Sequence, residues 1–185
     1  IAVGYDYRFG YKALGDTEIL TKLAAEKGMA VKIVDAVTEN GVPIKSTDIR
    51  ELVRTGEIAA ANRLLGYNYT VCGTVEKGLA NGRKLGFPTA NVGYEENKLL
   101  PGDGVYCGRT ENGLCVINVG KNPTFNAEKR TVEAHILDFD RDIYGEHIAL
   151  EFIEKIRDDI TFDNINDLKN QITNDVKKVK ARRVK

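Results

Sequence analysis

Apolar positions in the first part of the chain recur with two alternating periods. Ile19, Leu20, Leu23 and Ala24 fall on one face of a predicted helix that Asp16 can cap and Gly28 can end. Ala30 to Val37 then reads as a strand. Ser46 or Thr47 can cap a second helix carrying Ile49, Leu52 and Val53 before Gly56, and a third runs from about Glu57 to Leu65 before Gly66. Strand and helix in alternation is α/β grammar.

From Tyr69 the period shortens to that of strands. Runs rich in β-formers cover Tyr69 to Val75, Gly104 to Thr110, Leu114 to Val119, Thr131 to Phe139 and Glu146 to Arg157. Asn112-Gly113, flanked by two of them, is the hairpin signal. Strands separated by turn residues predict an antiparallel barrel or sandwich. Behind the candidate caps Asp163 and Asn164, Leu168, Ile172, Val176 and Val179 predict one amphipathic helix that closes this part. The expected organisation is an α/β fragment over residues 1–65 and a mainly β domain over residues 66–185, with Gly66 at the boundary.

The opening run Ile1-Ala2-Val3-Gly4 reads as the tail of a strand already under way, so a longer natural chain is expected. The 185 residues suit one well-cored domain with part of another attached. Lysine and arginine number 27, as do aspartate and glutamate, so no global field favours a polyanion and phosphate binding has to be local. The basic residues from Lys177 to Lys185 read as the solvated end of a helix. Cys72, Cys107 and Cys115 are odd in number and form no C-x-x-C pair, against a disulfide framework or zinc site and in favour of a reducing compartment. No run approaches the roughly 18–20 apolar residues that span a bilayer. The reading is a cytoplasmic monomer with no nucleic-acid or membrane partner.

Two reaction types fall away early. Ser46 is the single serine and lacks a G-x-S-x-G setting, and His135 and His147 lack helical metal-binding spacing. The segment from Gly78 to Asn91 holds more promise. Its glycines, Gly78, Gly82 and Gly86, let backbone amides approach an anion, and Arg83 and Lys84 can meet phosphate charge. It is no Walker A loop, and it is expected to open no helix. If Pro88 to Val92 is extended, Thr89 and Asn91 point to one side and offer two hard oxygens to magnesium. Taken as composition, the segment is equally an ordinary loop whose polar side chains bond nearby backbone.

The run Gly82-Arg83-Lys84-Leu85-Gly86-Phe87-Pro88-Thr89-Ala90-Asn91 resembles the signature of the riboflavin kinase family. Further matches follow in order: Pro101 with Gly104-Val105-Tyr106, Asn118-Val119-Gly120 with Pro123-Thr124-Phe125, and Val132-Glu133-Ala134-His135 with Leu137-Asp138-Phe139-Asp140. Tyr144-Gly145, Phe152, Arg157, Phe162, Gln171 and Asp175 complete the series, which covers about Leu65 to Val179.

The resemblance implies a six-stranded antiparallel barrel with a C-terminal helix, and ATP-dependent phosphorylation of riboflavin to FMN. It implies Glu133 as catalytic base and Thr89 and Asn91 as ligands of Mg²⁺ and the ATP phosphates. Gly78 and Arg83 would cover the nucleotide, with Ile136, Asp138 and Tyr144 near it. Arg157, Ile160 and Phe162 would border the flavin. Without the resemblance, Glu133 reads as a solvent-facing strand residue and Phe162 as core.

Gly4-Tyr5-Asp6-Tyr7-Arg8-Phe9-Gly10 and Ile44-Lys45-Ser46-Thr47-Asp48-Ile49-Arg50 resemble two segments of the FMN adenylyltransferase domain of bifunctional FAD synthetases, an incomplete Rossmann-like nucleotidyltransferase here. That family's histidine-containing nucleotide motif is absent, and Lys45 stands where serine is usual. Two alternatives accompany the kinase reading. One is a fragment of a bifunctional enzyme that also adenylylates FMN to FAD. The other is a flavin-binding module without turnover.

Overall fold

Val132, Ala134 and Ile136 are buried while Thr131, Glu133 and His135 between them are not. This period of two is the mark of a strand with one face in a core. It recurs in residues 69–76, 90–93 and 147–152, whereas residues 104–110 are buried almost throughout. The computed structural model describes residues 1–78, 81–121, 130–162 and 164–182, with the side chains of Asn81 and Lys84 set aside. Pro123, Thr124, Phe125 and the candidate cap Asp163 lie outside the described residues.

The chain forms two compact units, Ile1–Lys45 and Ser46–Lys185. In the first, β1 (Ala2–Gly4) and β2 (Lys32–Val34) pair in parallel, with α1 (Thr17–Glu26) between them in sequence. Asp16 caps α1 as expected, accepting from the Ile19 amide at 2.9 Å. Of the apolar face of α1 only Ala24 is buried, and β2 is shorter than the predicted strand. The short pair β3 (Thr38–Glu39) and β4 (Val42–Pro43) turns through Asn40 and Gly41, both at positive φ. That is the backbone a tight hairpin requires.

In the second unit, α2 (Ser46–Thr55) and α3 (Ile58–Leu65) precede β5 (Tyr69–Glu76). Sequence grammar groups these helices with residues 1–65; in the fold they belong with the barrel. Val53, Ile58 and Ala61 enter its core, and Asn62 ties α3 to two strands, donating to the Phe152 carbonyl at 2.8 Å and accepting from the Tyr69 amide at 2.7 Å. Gly66 ends α3 with φ 77°, a left-handed cap.

After β5 come α4 (Asn81–Leu85), β6 (Ala90–Gly93), β7 (Gly104–Thr110), β8 (Gly113–Lys121), β9 (Arg130–Ile136), β10 (His147–Arg157) and α5 (Ile165–Ala181). The six strands close into an antiparallel barrel in the order β10-β5-β6-β9-β8-β7. Closure leaves no strand edge open. Val71, Val75, Val92, Ile117, Val132 and Leu150 fill the interior. A second cluster lies on the outer face, where Val176 and Val179 of α5 cover Val105, Cys107 and Val116.

Three local expectations change. The segment expected to open no helix forms the short helix α4, because the Phe87 amide donates to the Gly82 carbonyl and Gly86, at φ 89°, reverses the chain. The β7–β8 hairpin exists, but its two turn residues are Glu111 and Asn112, with Gly113 opening β8 opposite Thr110. The strand predicted to reach Phe139 stops at Ile136, since Asp138 has φ 55°.

Candidate active site

The ladder places one row of residues directly opposite one another across the barrel wall. Glu76 on β5 faces Asn91 on β6, Asn91 faces Glu133 on β9, Glu133 faces Asn118 on β8, Asn118 faces Val105 on β7, and Val105 faces Arg157 on β10. Such neighbours hold their Cβ atoms about 4.5–5.5 Å apart on one face of the sheet. Here it is the outer face, because the alternate residues Val132, Ala134, Val119 and Ile117 fill the barrel. Three of the predicted residues, Asn91, Glu133 and Arg157, therefore share a single row.

Glu133 is half-buried, and its carboxylate has no hydrogen-bond or ion-pair partner among the described residues. Burial pushes its carboxyl above the ordinary range, since desolvation penalises the charged form. An unpaired, partly desolvated carboxylate is chemically conspicuous.

Thr89 and Asn91 flank the inward-facing Ala90 at the start of β6. The glycine segment lies against both. A Cβ at Gly78 would fall 2.2 Å from Asn91 Nδ2, and one at Gly82 would fall 3.1 Å from Thr89 Oγ1. Only glycine gives the loop this approach. Two hard oxygens under a backbone cradle fit a magnesium ion that shares its shell with phosphates and water. Among the described residues no cluster of three or more histidine, cysteine or acidic side chains forms an all-protein metal cage.

Beside Thr89 a cavity of about 280 Å³ opens at one end of the barrel. Arg83, Thr89, Ile136 and Tyr144, four of the residues predicted near the nucleotide, line it. Arg83 is exposed and has no ion-pair partner among the described residues. Asp140, Arg141 and Asp142 also line the cavity and were not predicted. The matched run around Phe139 and Asp140 was the sequence signal for them. Asp138 is absent from the lining; its carboxylate holds Lys180 of α5 at 2.6 Å.

The residues predicted near the flavin stand at the other end of the row. Arg157 Nε donates to the buried Asp175 Oδ2 at 2.9 Å, and Gln171 donates to Asp175 Oδ1 at 2.9 Å. The segment after β10 carries the exposed Ile160 and the half-buried Phe162. It runs beside β8, because a Cβ at Gly120 would meet Asp159 Oδ2 at 3.4 Å and Asn118 Nδ2 at 4.0 Å.

The family described as riboflavin kinase matches residues 65–182 of this barrel and its helices. The chain belongs to the riboflavin kinase family. Members of this family are ATP-dependent phosphotransferases. The FAD synthetase family matches residues 1–48, the first unit and the entry to α2. Relatives in Listeria monocytogenes and Haemophilus influenzae, each named bifunctional riboflavin kinase/FMN adenylyltransferase, are 37% and 36% identical. Both alignments cover 98% of this chain, and 59% and 60% of the respective relatives. The chain thus spans about three fifths of the length of these relatives. A crystal structure of a Streptococcus pneumoniae protein named a macrolide-efflux protein superposes with a TM-score of 0.86 at 33% identity, covering 97% of this chain and 59% of that one. Among the described residues, no helix is long and apolar enough to cross a membrane.

Proposed function

We propose that this chain transfers the γ-phosphate of ATP to the ribityl 5′-hydroxyl of riboflavin, giving FMN and ADP. The observation that carries the reading is the unpartnered, half-buried Glu133 standing opposite Asn91, with Thr89 two residues before Asn91, just ahead of β6. A base and two oxygen ligands are thereby within one substrate length of each other.

Glu133 accepts the proton of the 5′-hydroxyl as its oxygen bonds to the γ-phosphorus and the bond from that phosphorus to the ADP oxygen breaks. Thr89 and Asn91 would hold Mg²⁺, which supplies positive charge to the phosphates when bound. Arg83, exposed at the rim, adds a cation toward the same charge. Gly78 and Gly82 bring backbone over Asn91 and Thr89, and Tyr144 and Ile136 wall the nucleotide cavity. Asp138, tied to Lys180, acts there through the turn it forms.

Arg157, oriented by Asp175, faces the flavin together with Phe162 and Ile160. Three strand steps separate Arg157 from Glu133 along the row, roughly 14 Å at about 4.8 Å per step. That span lets an isoalloxazine ring lie toward Arg157 while the ribityl end reaches Glu133. The protein is read as a cytoplasmic monomer, with its three cysteines free.

A second reading, that the parent protein also adenylylates FMN to FAD, is favoured by the match of residues 1–48 to the FAD synthetase family. A flavin-binding module without turnover is disfavoured, since such a module needs neither Glu133 nor the Thr89–Asn91 pair. Incubation with riboflavin, ATP and magnesium, followed by chromatography of the flavins, tests the proposal. FMN should accumulate in step with ADP. Binding of riboflavin with no FMN formed would leave the module reading standing.

A further inference from the structure

His135 stands two residues beyond Glu133 on β9, on the same outward face. Its Nδ1 lies 2.8 Å from the carbonyl oxygen of Pro88, the residue before Thr89. Its ring meets Phe87 edge to face, with centroids 5.6 Å apart and planes at 89°. These two contacts join the strand that carries Glu133 to the loop that carries Thr89.

The ladder explains why a side chain takes this place. β6 and β9 pair at Ala90 with Ala134 and at Asn91 with Glu133. Continued by one position, that register would set Thr89 opposite His135, but β6 begins at Ala90. Proline has no amide hydrogen, so Pro88 cannot extend the ladder as a donor. Only its carbonyl remains, and it meets the imidazole instead. A carbonyl oxygen only accepts, so Nδ1 carries the proton and donates, whichever state Nε2 adopts.

We infer that His135 is a positioning residue for nucleotide binding: by donating from Nδ1 to Pro88 it sets the backbone from which Thr89 Oγ1 is aimed at the magnesium–ATP site. This rests on the reading of Thr89 given above. Thr89 sits just ahead of β6, outside its ladder. Just before Pro88 the chain is held by two backbone bonds: the Phe87 amide donates to the Gly82 carbonyl at 2.8 Å, and the Gly86 amide to the Arg83 carbonyl at 3.1 Å. Both lie within the loop itself. The bond to His135, with the Phe87 ring contact beside it, refers the loop to the base-bearing strand.

The test is calorimetric titration of ATP into the full chain, with and without magnesium, alongside steady-state kinetics for both substrates. Four proteins are compared: wild type, His135→Ala, His135→Asn and Thr89→Ala. An asparagine amide places an N–H near the position of Nδ1 and can restore the bond. Loss of one such bond should weaken magnesium–ATP binding in His135→Ala by roughly three- to tenfold. Binding of ATP without magnesium and the KM for riboflavin should stay near wild type, and His135→Asn should recover most of the loss.

Equal weakening with and without magnesium, a parallel rise in the riboflavin KM, or failure of His135→Asn to recover would overturn the inference, since a merely structural histidine gives those results. If Thr89→Ala itself leaves magnesium–ATP binding unchanged, the reading of Thr89 fails and this inference falls with it. If Thr89→Ala weakens binding while His135→Ala does not, only this inference is lost.

Discussion

Asn91 on β6 and Glu133 on β9 stand directly opposite each other on the outer face of the barrel, so a neutral amide and an unpaired carboxylate share one cross-strand site. Neither side chain contributes to the barrel interior, which the residues on either side of them fill. Chemistry and packing are thereby divided between alternate positions of the same strands.

Replacing Glu133 by glutamine keeps its volume and removes its basicity. The turnover number is expected to fall by about 10²–10⁴, the range for loss of a general base, with riboflavin affinity nearly unchanged. Stopped assays of FMN formation and flavin fluorescence titration measure the two quantities separately. A near-normal turnover number would remove Glu133 from the mechanism.

The acid limb of the rate profile follows from the same residue. Burial raises the Glu133 carboxyl above its usual range. The ionised form accepts the proton, so kcat/KM is low below this pKa, climbs as pH rises through it, and levels off above it. The limb should lie at higher pH than an ordinary glutamate would give. It should vanish in Glu133→Gln, whose residual rate is flat over the same interval.

Two glycine substitutions should separate function from stability. A Cβ at Gly78 meets the far end of the Asn91 side chain at 2.2 Å, so Gly78→Ala displaces that side chain and should weaken magnesium–ATP binding with little change in melting temperature. A Cβ at Gly73 meets the Gly93 carbonyl oxygen at 1.7 Å, a backbone atom between paired strands. Gly73→Ala should cost about 1–3 kcal/mol in urea unfolding, as overpacking does.

Arg157 has both a structural and a proposed binding role, and a double substitution distinguishes them. Its guanidinium neutralises Asp175, which is 1% exposed. Arg157→Met leaves that carboxylate buried with only the neutral Gln171 amide donating to it, and should destabilise the protein by about 3–5 kcal/mol. Adding Asp175→Leu should restore most of the stability measured by denaturant unfolding. Riboflavin affinity should stay reduced; its recovery would confine Arg157 to the structural role.

Supplied with FMN, ATP and magnesium, this chain is expected to form little FAD. Its only histidines are His135 and His147, both in the barrel unit, so the histidine motif of adenylyltransferases has no counterpart in residues 1–45. Losing one clamp on the triphosphate loses much of the effective molarity that adenylyl transfer needs. Chromatography of the flavin products checks this, and robust FAD formation would contradict it.

The barrel strands were legible because most bury one face; β7 buries both, its outer residues lying under α5. Gly104–Thr110 matches its predicted run end to end, and β10 differs by one residue at its start. β6 was read only as a conditional extended segment, since four residues with Gly, Pro and Asn nearby carry too little period. The Asn40-Gly41 hairpin passed unnoticed because its strands are two residues long. At the site, Thr89, Asn91 and Glu133 were marked by the family resemblance. His135 and Arg141 were not assigned, because their roles depend on the Pro88 carbonyl and on a cavity, neither of which a sequence displays. Placing α2 and α3 with residues 1–65 followed the α/β grammar, which says nothing of which core a helix enters.

Closure of the barrel joins distant stretches of chain. The seam between β5 and β10 is bridged by Asn68 and Glu151, 83 residues apart, whereas β7 and β8 turn on two residues. Hairpins form in microseconds, but a seam of this span first has to meet a larger loop-closure entropy. During synthesis β5 leaves the ribosome long before its partner β10 exists. For that interval one side of β5 is an open template for strands of other chains. Closure of the barrel therefore waits on the arrival of its last strand.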